Sequence, residues 1–317
     1  MPLLNADKPQ LWKQDIAASV DFFNRWFMEF APAAYRETRI KATEEVLSAL
    51  RLTDNLRSIS PRDLQSHPAI LPALRMSTSP PIARDRLVGL ASCNKNLVLC
   101  MEEGKIPSRM PKKDLESQLA SICAIIIRLL DPDIFPWLGS PKPPPKGERF
   151  RASTIVADRL CGAVADPIIR NAQERRQLEV IARFLEQRGY RHQSLSPSTD
   201  LHDIPPGTFT FHFNVAVGEK LRVNIPIDVL IQRLKPGPRR MPILIEAKSA
   251  GDFTNTNKRR KEEATKIHQL QAAYGKEMTL VLLLCGYFDC GYLGYEAAEG
   301  LDWVWEHRLE DLLRLGI

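Results

Sequence analysis

Two short runs constrain this chain more than anything else in it. Asn224-Ile225-Pro226-Ile227-Asp228-Val229-Leu230-Ile231 is followed, after a basic turn, by Ile243-Leu244-Ile245-Glu246-Ala247-Lys248. Both are apolar, rich in β-branched residues and of strand length. The interval between them suits a hairpin, which would bring both runs to one sheet edge. An acid sits towards the end of the first run. A second acid and a lysine flank a small residue at the end of the next. Side chains alternate along a strand, so Glu246 and Lys248 project to one face while Ala247 points away. Charges at the end of a buried strand are costly unless they have a partner or a task.

These residue types define a chemistry. Magnesium prefers hard oxygen ligands and keeps several waters, so two carboxylates and substrate phosphate oxygens make a sufficient site. Asp228 and Glu246 are the candidate ligands, with the Ala247 backbone carbonyl as a third. Lys248 would stand beside the ion, orienting or helping to deprotonate an attacking water and offsetting charge on the transition state. The layout suits a magnesium-dependent phosphodiester hydrolase. The competing reading is a surface ion pair of Lys248 with Glu246 or Asp228.

Composition is compatible with that chemistry. A net charge of +6 favours a polyanionic partner. At 317 residues, 44% hydrophobic and 26% charged, the chain reads as an ordinary globular protein of two domains. The six cysteines form no C-x-x-C pair and no zinc-finger spacing with histidine, so they read as reduced and mostly buried. The N-terminus has no secretory pattern and no run is long enough to span a bilayer. A cytoplasmic location, away from membranes, is expected.

Residues 1–140 read as a helical N-terminal domain. Trp12, Ile16, Val20, Phe23 and Phe27 form an amphipathic stripe, and Pro32 marks the end of that helix or a kink. Ser60-Pro61 reads as a cap and helix start, and residues 115–130 as a strongly apolar helix. The proline-rich segment 141–150 reads as an extended linker. Residues 151–317 have a different texture. Helices over 152–162 and 167–187 lead to an alternating strand at 208–215. The two runs above follow, then a charged helix over 257–273, a buried strand at 278–284 and a short final helix over 309–315. This is a mixed α/β order, a meander followed by a crossover.

That order, with an acid on the second strand and Glu246-Ala247-Lys248 on the third, resembles the PD-(D/E)xK nuclease superfamily. One departure is that Pro226 and Asp228 are not adjacent. A narrower resemblance covers most of the chain. Asn24-Arg25-Trp26-Phe27, Pro80-Pro81-Ile82-Ala83-Arg84-Asp85-Arg86-Leu87, Ala165-Asp166-Pro167-Ile168-Ile169-Arg170-Asn171 and the residues from Glu246 through Asp252-Phe253-Thr254-Asn255 to Lys258 are similar to the XamI family of type II restriction endonucleases. The resemblance implies a PD-(D/E)xK core behind a helical N-terminal domain and magnesium as cofactor. It also implies a homodimer, double-strand cleavage at a short palindrome with 5′-phosphate ends, and a cognate DNA methyltransferase in the same system.

Superfamily members often add an acid from the first core helix. Glu174 lies on the stripe of Leu178, Ile181 and Leu185, one turn earlier, whereas Glu179 is rotated off it. Glu174 is therefore the candidate fourth site residue, against the alternative of a solvent-facing charge. Gln173 and Gln177 are candidates for supporting polar roles. Asn255, Asn257, Lys258, Arg259 and Arg260 after the motif, and Arg239 and Arg240 at a basic hairpin tip, are candidate DNA contacts. Arg84 and Arg86 are further ones. The alternatives are a structure-specific repair or junction nuclease of the same superfamily, or a DNA-binding protein without catalysis.

Overall fold

The computed structural model describes residues 3–218, 223–237, 241–253 and 260–317, without the side chains of Arg260 and Lys261. The chain divides into two compact units. One comprises Met1–Phe30 and Arg170–Ile317, the other Ala31–Ile169. Both crossings fall inside long helices, α1 (Pro9–Leu52) and α7 (Lys146–Glu186). The division therefore differs from the expected one at 141–150, a segment that belongs wholly to the second unit. Pro32 and Pro167 lie within these helices rather than ending them. A proline removes one helical hydrogen bond. Core contacts flank Pro167 on both sides, at Ala157 and Ala165 before it and at Leu178 and Ile181 after it.

The all-helical unit contains α2 (Pro61–Ser66), α3 (Leu71–Met76), α4 (Arg84–Ala91), α5 (Lys95–Glu102) and α6 (Lys112–Leu129). A capping box between Ser60 and Asp63 starts α2, satisfying two otherwise orphaned donors. In α6, Leu115, Leu119, Ile122, Cys123 and Ile126 recur at three- and four-residue steps, and all are buried. Burial pushes the Cys123 thiol up to about 12, which leaves it unreactive.

The other unit is built on one mixed sheet of β1 (Arg191–His192), β2 (Thr208–Val217), β3 (Val223–Gln232), β4 (Ile243–Ala250), β5 (Thr279–Gly286) and β6 (Asp302–Trp305), in that spatial order. The β2–β3 and β3–β4 pairs are antiparallel, whereas β4–β5 and β5–β6 are parallel. The parallel pairs require crossovers, supplied by α8 (Arg260–Tyr274) and α9 (Cys290–Ala298). Every residue of β5 is buried, as a parallel strand covered on both faces demands. On one face Ile243, Ile245, Val281, Leu283 and Val304 pack with Leu178, Ile181 and Leu185 of α7. On the other, Leu244 and Leu280 pack with Ile267 and Leu270 of α8, and Trp303 and Trp305 pack with Tyr292 and Leu293 of α9. Trp12 and Ile16 of α1 join this last cluster. The first part of the N-terminal stripe therefore packs on the sheet unit rather than in a separate N-terminal domain, while Phe27 at its end is exposed.

The close of β5 depends on one glycine. Gly286 has φ +98, and a Cβ there would lie 2.1 Å from the Ala250 carbonyl oxygen. Its N–H donates to Ser19 Oγ at 2.8 Å, while the Ala250 carbonyl accepts from Tyr287 N–H at 2.9 Å.

Candidate active site

β3 and β4 pair at Ile231–Ile243, Leu230–Leu244 and Val229–Ile245. The next rung would set Asp228 opposite Glu246, and there the ladder ends. Asp228 Oδ2 instead accepts the backbone N–H of Ala247 at 2.8 Å. That charge-assisted bond satisfies a donor freed by the parting strands. β4 continues straight on against β5, with Glu246 beside Leu282 and Lys248 beside Leu284. Both acids thus stand on neighbouring strands, as the two apolar runs led us to expect, but at a fork between inner strands that the sequence did not indicate.

A residue not foreseen faces Asp228 from the other side. The Phe211–Val229 and Phe213–Ile227 pairs place His212 opposite Asp228 on β2. His212 has φ +51, a left-handed conformation unusual for a non-glycine strand residue. The two strands change face together at this rung. Phe209, Phe211, Val229 and Ile231 pack on the α7 face, but Phe213, Val215, Ile225 and Ile227 pack on the α8 face. Strict alternation would put each strand's set on one face. Ligating atoms of Glu174, His212 and Asp228 all lie within 4.8 Å of one another. Glu174, chosen from its helical phase, is therefore brought to Asp228. His212 carries no sequence signal of its own, because the Thr-Phe alternation runs smoothly through it.

On the α8 side the acids meet two lysines. Lys248 Nζ lies 3.0 Å from Glu246 Oε1 and 3.1 Å from Glu263 Oε1. Lys266 Nζ lies 2.6 Å from the same Glu246 oxygen and 3.2 Å from the Pro226 carbonyl oxygen. Glu263 is 1% exposed and so lies in the interior, although the sequence shows only a charged helix there. The spacing of Glu263 and Lys266 puts them on one helix face, which was the available signal. Burial pulls the Lys248 pKa down, but Glu246 and Glu263 outweigh it and the net shift is upward. Lys248 is held as a cation. Burial raises the Asp228 carboxyl, and the charges of Glu246 and Glu174 raise it further against the Ala247 N–H and Lys248. Glu246 is 5% exposed, and its Oε2 has no hydrogen-bond partner among the described residues. Clustered carboxylates with an orphaned buried oxygen fit a hard divalent cation.

Supporting residues are mixed. Gln177 donates to the Lys248 and Leu283 carbonyls at 3.4 and 3.5 Å, tying α7 to β4 and β5. Gln173 is buried with neither amide atom bonded among the described residues. Arg239, Arg240, Asn255, Asn257, Lys258 and Arg259 lie outside the described residues, as does the Arg260 side chain. Arg233 opens the basic turn between the two strands but does not face solvent. It is buried, and its guanidinium donates to the Leu315 and Met241 carbonyls at 2.7 and 3.0 Å. Arg84, in the helical unit, pairs with Glu102 at 3.4 Å.

A fork of two acids and a lysine on a mixed sheet defines a candidate hydrolase of charged esters, and the relatives say which. The profile of the XamI restriction endonuclease family matches residues 54–305. The chain belongs to that family and is a type II restriction enzyme, a site-specific deoxyribonuclease. It is 57% identical over 314 residues to the type II restriction enzyme SalI of Streptomyces albus G, covering 99% of this chain and all of that protein. Among solved structures it is similar to protein VC1899 from Vibrio cholerae, at 13% identity and a TM-score of 0.29 over 90% of this chain and 56% of that one. A likeness that weak bears no weight on the fold.

Proposed function

We propose that this restriction enzyme hydrolyses double-stranded DNA at a short palindromic site, using magnesium held at the β3–β4 fork of a PD-(D/E)xK core. The observation that carries this reading is the fork itself, where Asp228 and Glu246 diverge at the rung at which the ladder stops. Asp228, Glu246 and the Ala247 carbonyl would hold the ion, with Glu174 beside them. Bound there, magnesium would polarise the scissile phosphate and lower the pKa of a coordinated water.

The chain's own groups have separate tasks. Asp228 anchors Ala247 through the backbone N–H, which fixes the direction of the neighbouring carbonyl. Lys248, held charged between Glu246 and Glu263, supplies a fixed cation for the negative charge that builds on the phosphate oxygens. Attack of water on phosphorus and departure of the 3′ oxygen would leave 5′-phosphate and 3′-hydroxyl ends. A palindromic site implies two-fold symmetry, hence a homodimer, and a cognate methyltransferase would protect host DNA. The helical unit would clasp or read the duplex or form the dimer. The basic residues around 239–240 and 255–260 would contact the backbone. A cytoplasmic location accords with this role, and no described helix is long and apolar enough to cross a membrane.

The test is digestion of plasmid DNA of known sequence with magnesium, with and without a chelator, by the wild type, Asp228→Asn and Lys248→Ala. Discrete fragments that need magnesium and disappear in both variants support the site. Undiminished site-specific cutting by either variant refutes it. Cleavage only at branched DNA would instead favour a junction nuclease.

A further inference from the structure

Glu246 Oε1 carries two ammonium groups at once. Lys248 Nζ lies 3.0 Å from it and Lys266 Nζ 2.6 Å from it. One carboxylate cannot neutralise two lysines, so each needs a further partner. Lys248 has one, since Glu263 Oε1 lies 3.1 Å from its Nζ. Lys266 has no second carboxylate among the described residues, and its other contact is the neutral Pro226 carbonyl at 3.2 Å. Lys248 stands on β4 itself, whereas Lys266 reaches the fork from α8. Ile267 and Leu270 of that helix are buried against the sheet, so the stem of Lys266 starts from a fixed point. Its ammonium is the one of the two held by fewer charges.

The charges around the fork set where that ammonium can go. Glu174, Asp228, Glu246 and Glu263 gather about Lys248 and Lys266, four carboxylates to two ammonium groups. One divalent cation among the acids makes the charges level. That ion competes with Lys266 for Glu246, because both draw on the same carboxylate charge. A substrate phosphate on the ion then brings the next uncompensated negative charge. Neighbouring ligand oxygens on an octahedral magnesium stand about 3 Å apart. An ammonium on the Glu246 carboxylate is therefore within a side-chain rotation of a phosphate oxygen on the same ion.

We propose that Lys266 is a second catalytic lysine, which neutralises Glu246 until the divalent ion takes that carboxylate and then passes to the scissile phosphate. Lys248 stays in place, held by Glu263. The inference rests on the reading of Glu246 as a metal ligand and adds to it a residue from outside the strand motif. Exchange of partners distinguishes this role from that of a fixed tie between α8 and β4.

The experiment compares the full-length wild type, Lys266→Met and Lys266→Arg in two measurements. One is calorimetric titration with Mg²⁺ alone, without DNA. The other is single-turnover cleavage of DNA carrying the site that the wild type cuts, at Mg²⁺ saturating for each protein. Lys266→Met keeps the apolar stem and removes the charge. It should bind Mg²⁺ at least about threefold more tightly, having lost a competing cation, yet cut at least about tenfold more slowly. Lys266→Arg should stay within about threefold of wild type in both. A lysine that only ties the helix to the sheet would not move the two in opposite directions. Cutting by Lys266→Met within about twofold of wild type, or weaker Mg²⁺ binding, would overturn the proposal. Thermal unfolding checks the fold, and Lys266→Gln, carried in parallel, keeps the comparison if Lys266→Met does not fold. Failure of the metal reading itself shows separately, as a wild type that neither binds Mg²⁺ nor needs it to cut.

Discussion

The Asp228 carboxylate accepts the backbone N–H of Ala247 at 2.8 Å, across the gap where β3 and β4 part. That side chain thereby sets the orientation of the peptide that follows Glu246, and on the function proposed above it would also offer a ligand oxygen. Asp228→Asn keeps an oxygen able to accept that N–H but removes the charge. We expect it to fold normally and to cut DNA at least about 100-fold more slowly. Single-turnover cleavage alongside thermal unfolding checks both halves. A rate within threefold of wild type would place the ion elsewhere.

Glu263 is a structural counter-charge as well as a site neighbour. With Glu246 it surrounds Lys248 in a nearly dry position. Removing one partner of a buried pair leaves the other uncompensated, at a cost of about 3–5 kcal/mol. Glu246 still faces Lys248, so Glu263→Ala should fall near the lower end, about 3 kcal/mol. Urea unfolding measures it, and a loss below about 1 kcal/mol would contradict the burial argument.

Gly286→Ala tests the end of β5. The new methyl group would collide with the Ala250 carbonyl, and the backbone holds φ +98, which side chains rarely adopt. Strain and displacement together should destabilise the sheet unit by about 2–4 kcal/mol. A variant as stable as the wild type in urea would mean that Ala250 and Tyr287 can shift apart freely.

His307 should make stability depend on pH. Burial, then the Arg308 charge, lower its pKa below the ordinary 6.5, while Asp15 and Asp311 oppose them. Its ring stacks on Trp305 at 5.9 Å. A depressed folded value means that the unfolded chain binds the proton more readily. The contribution is thus complete above about 6.5 and is lost as pH falls through the folded value. His307→Phe should flatten the fall in unfolding free energy between about pH 6.5 and 5 relative to wild type. Equal slopes for the two proteins would exclude His307 as the source.

Much of the candidate site was legible as a linear pattern. Asp228, Glu246 and Lys248 announce themselves because charges are expensive at the end of apolar runs, and strand alternation places Glu246 and Lys248 on one face. Glu174 followed from helical phase. The antiparallel meander and the crossover helix were equally readable, since hairpin and crossover lengths differ.

The rest depended on contacts that no local period encodes. Trp12 and Ile16 read correctly as core, but only packing on Trp303 and Tyr292 assigned them to the sheet unit rather than to a helical N-terminal domain. Pro167 reads as a break, yet core contacts on both sides carry α7 through it. Glu263 and Lys266 looked like parts of a solvated charged helix until α8 lay against the fork. His212 is the extreme case. Its neighbours alternate without interruption, and its place beside Asp228 follows solely from the register that sets the two residues opposite each other and from the face change the two strands share. Sequence by itself determined which residues could do this chemistry, because burial costs and periodicity act locally. Which of them meet was decided by strand register and helix packing, which are properties of distant pairs.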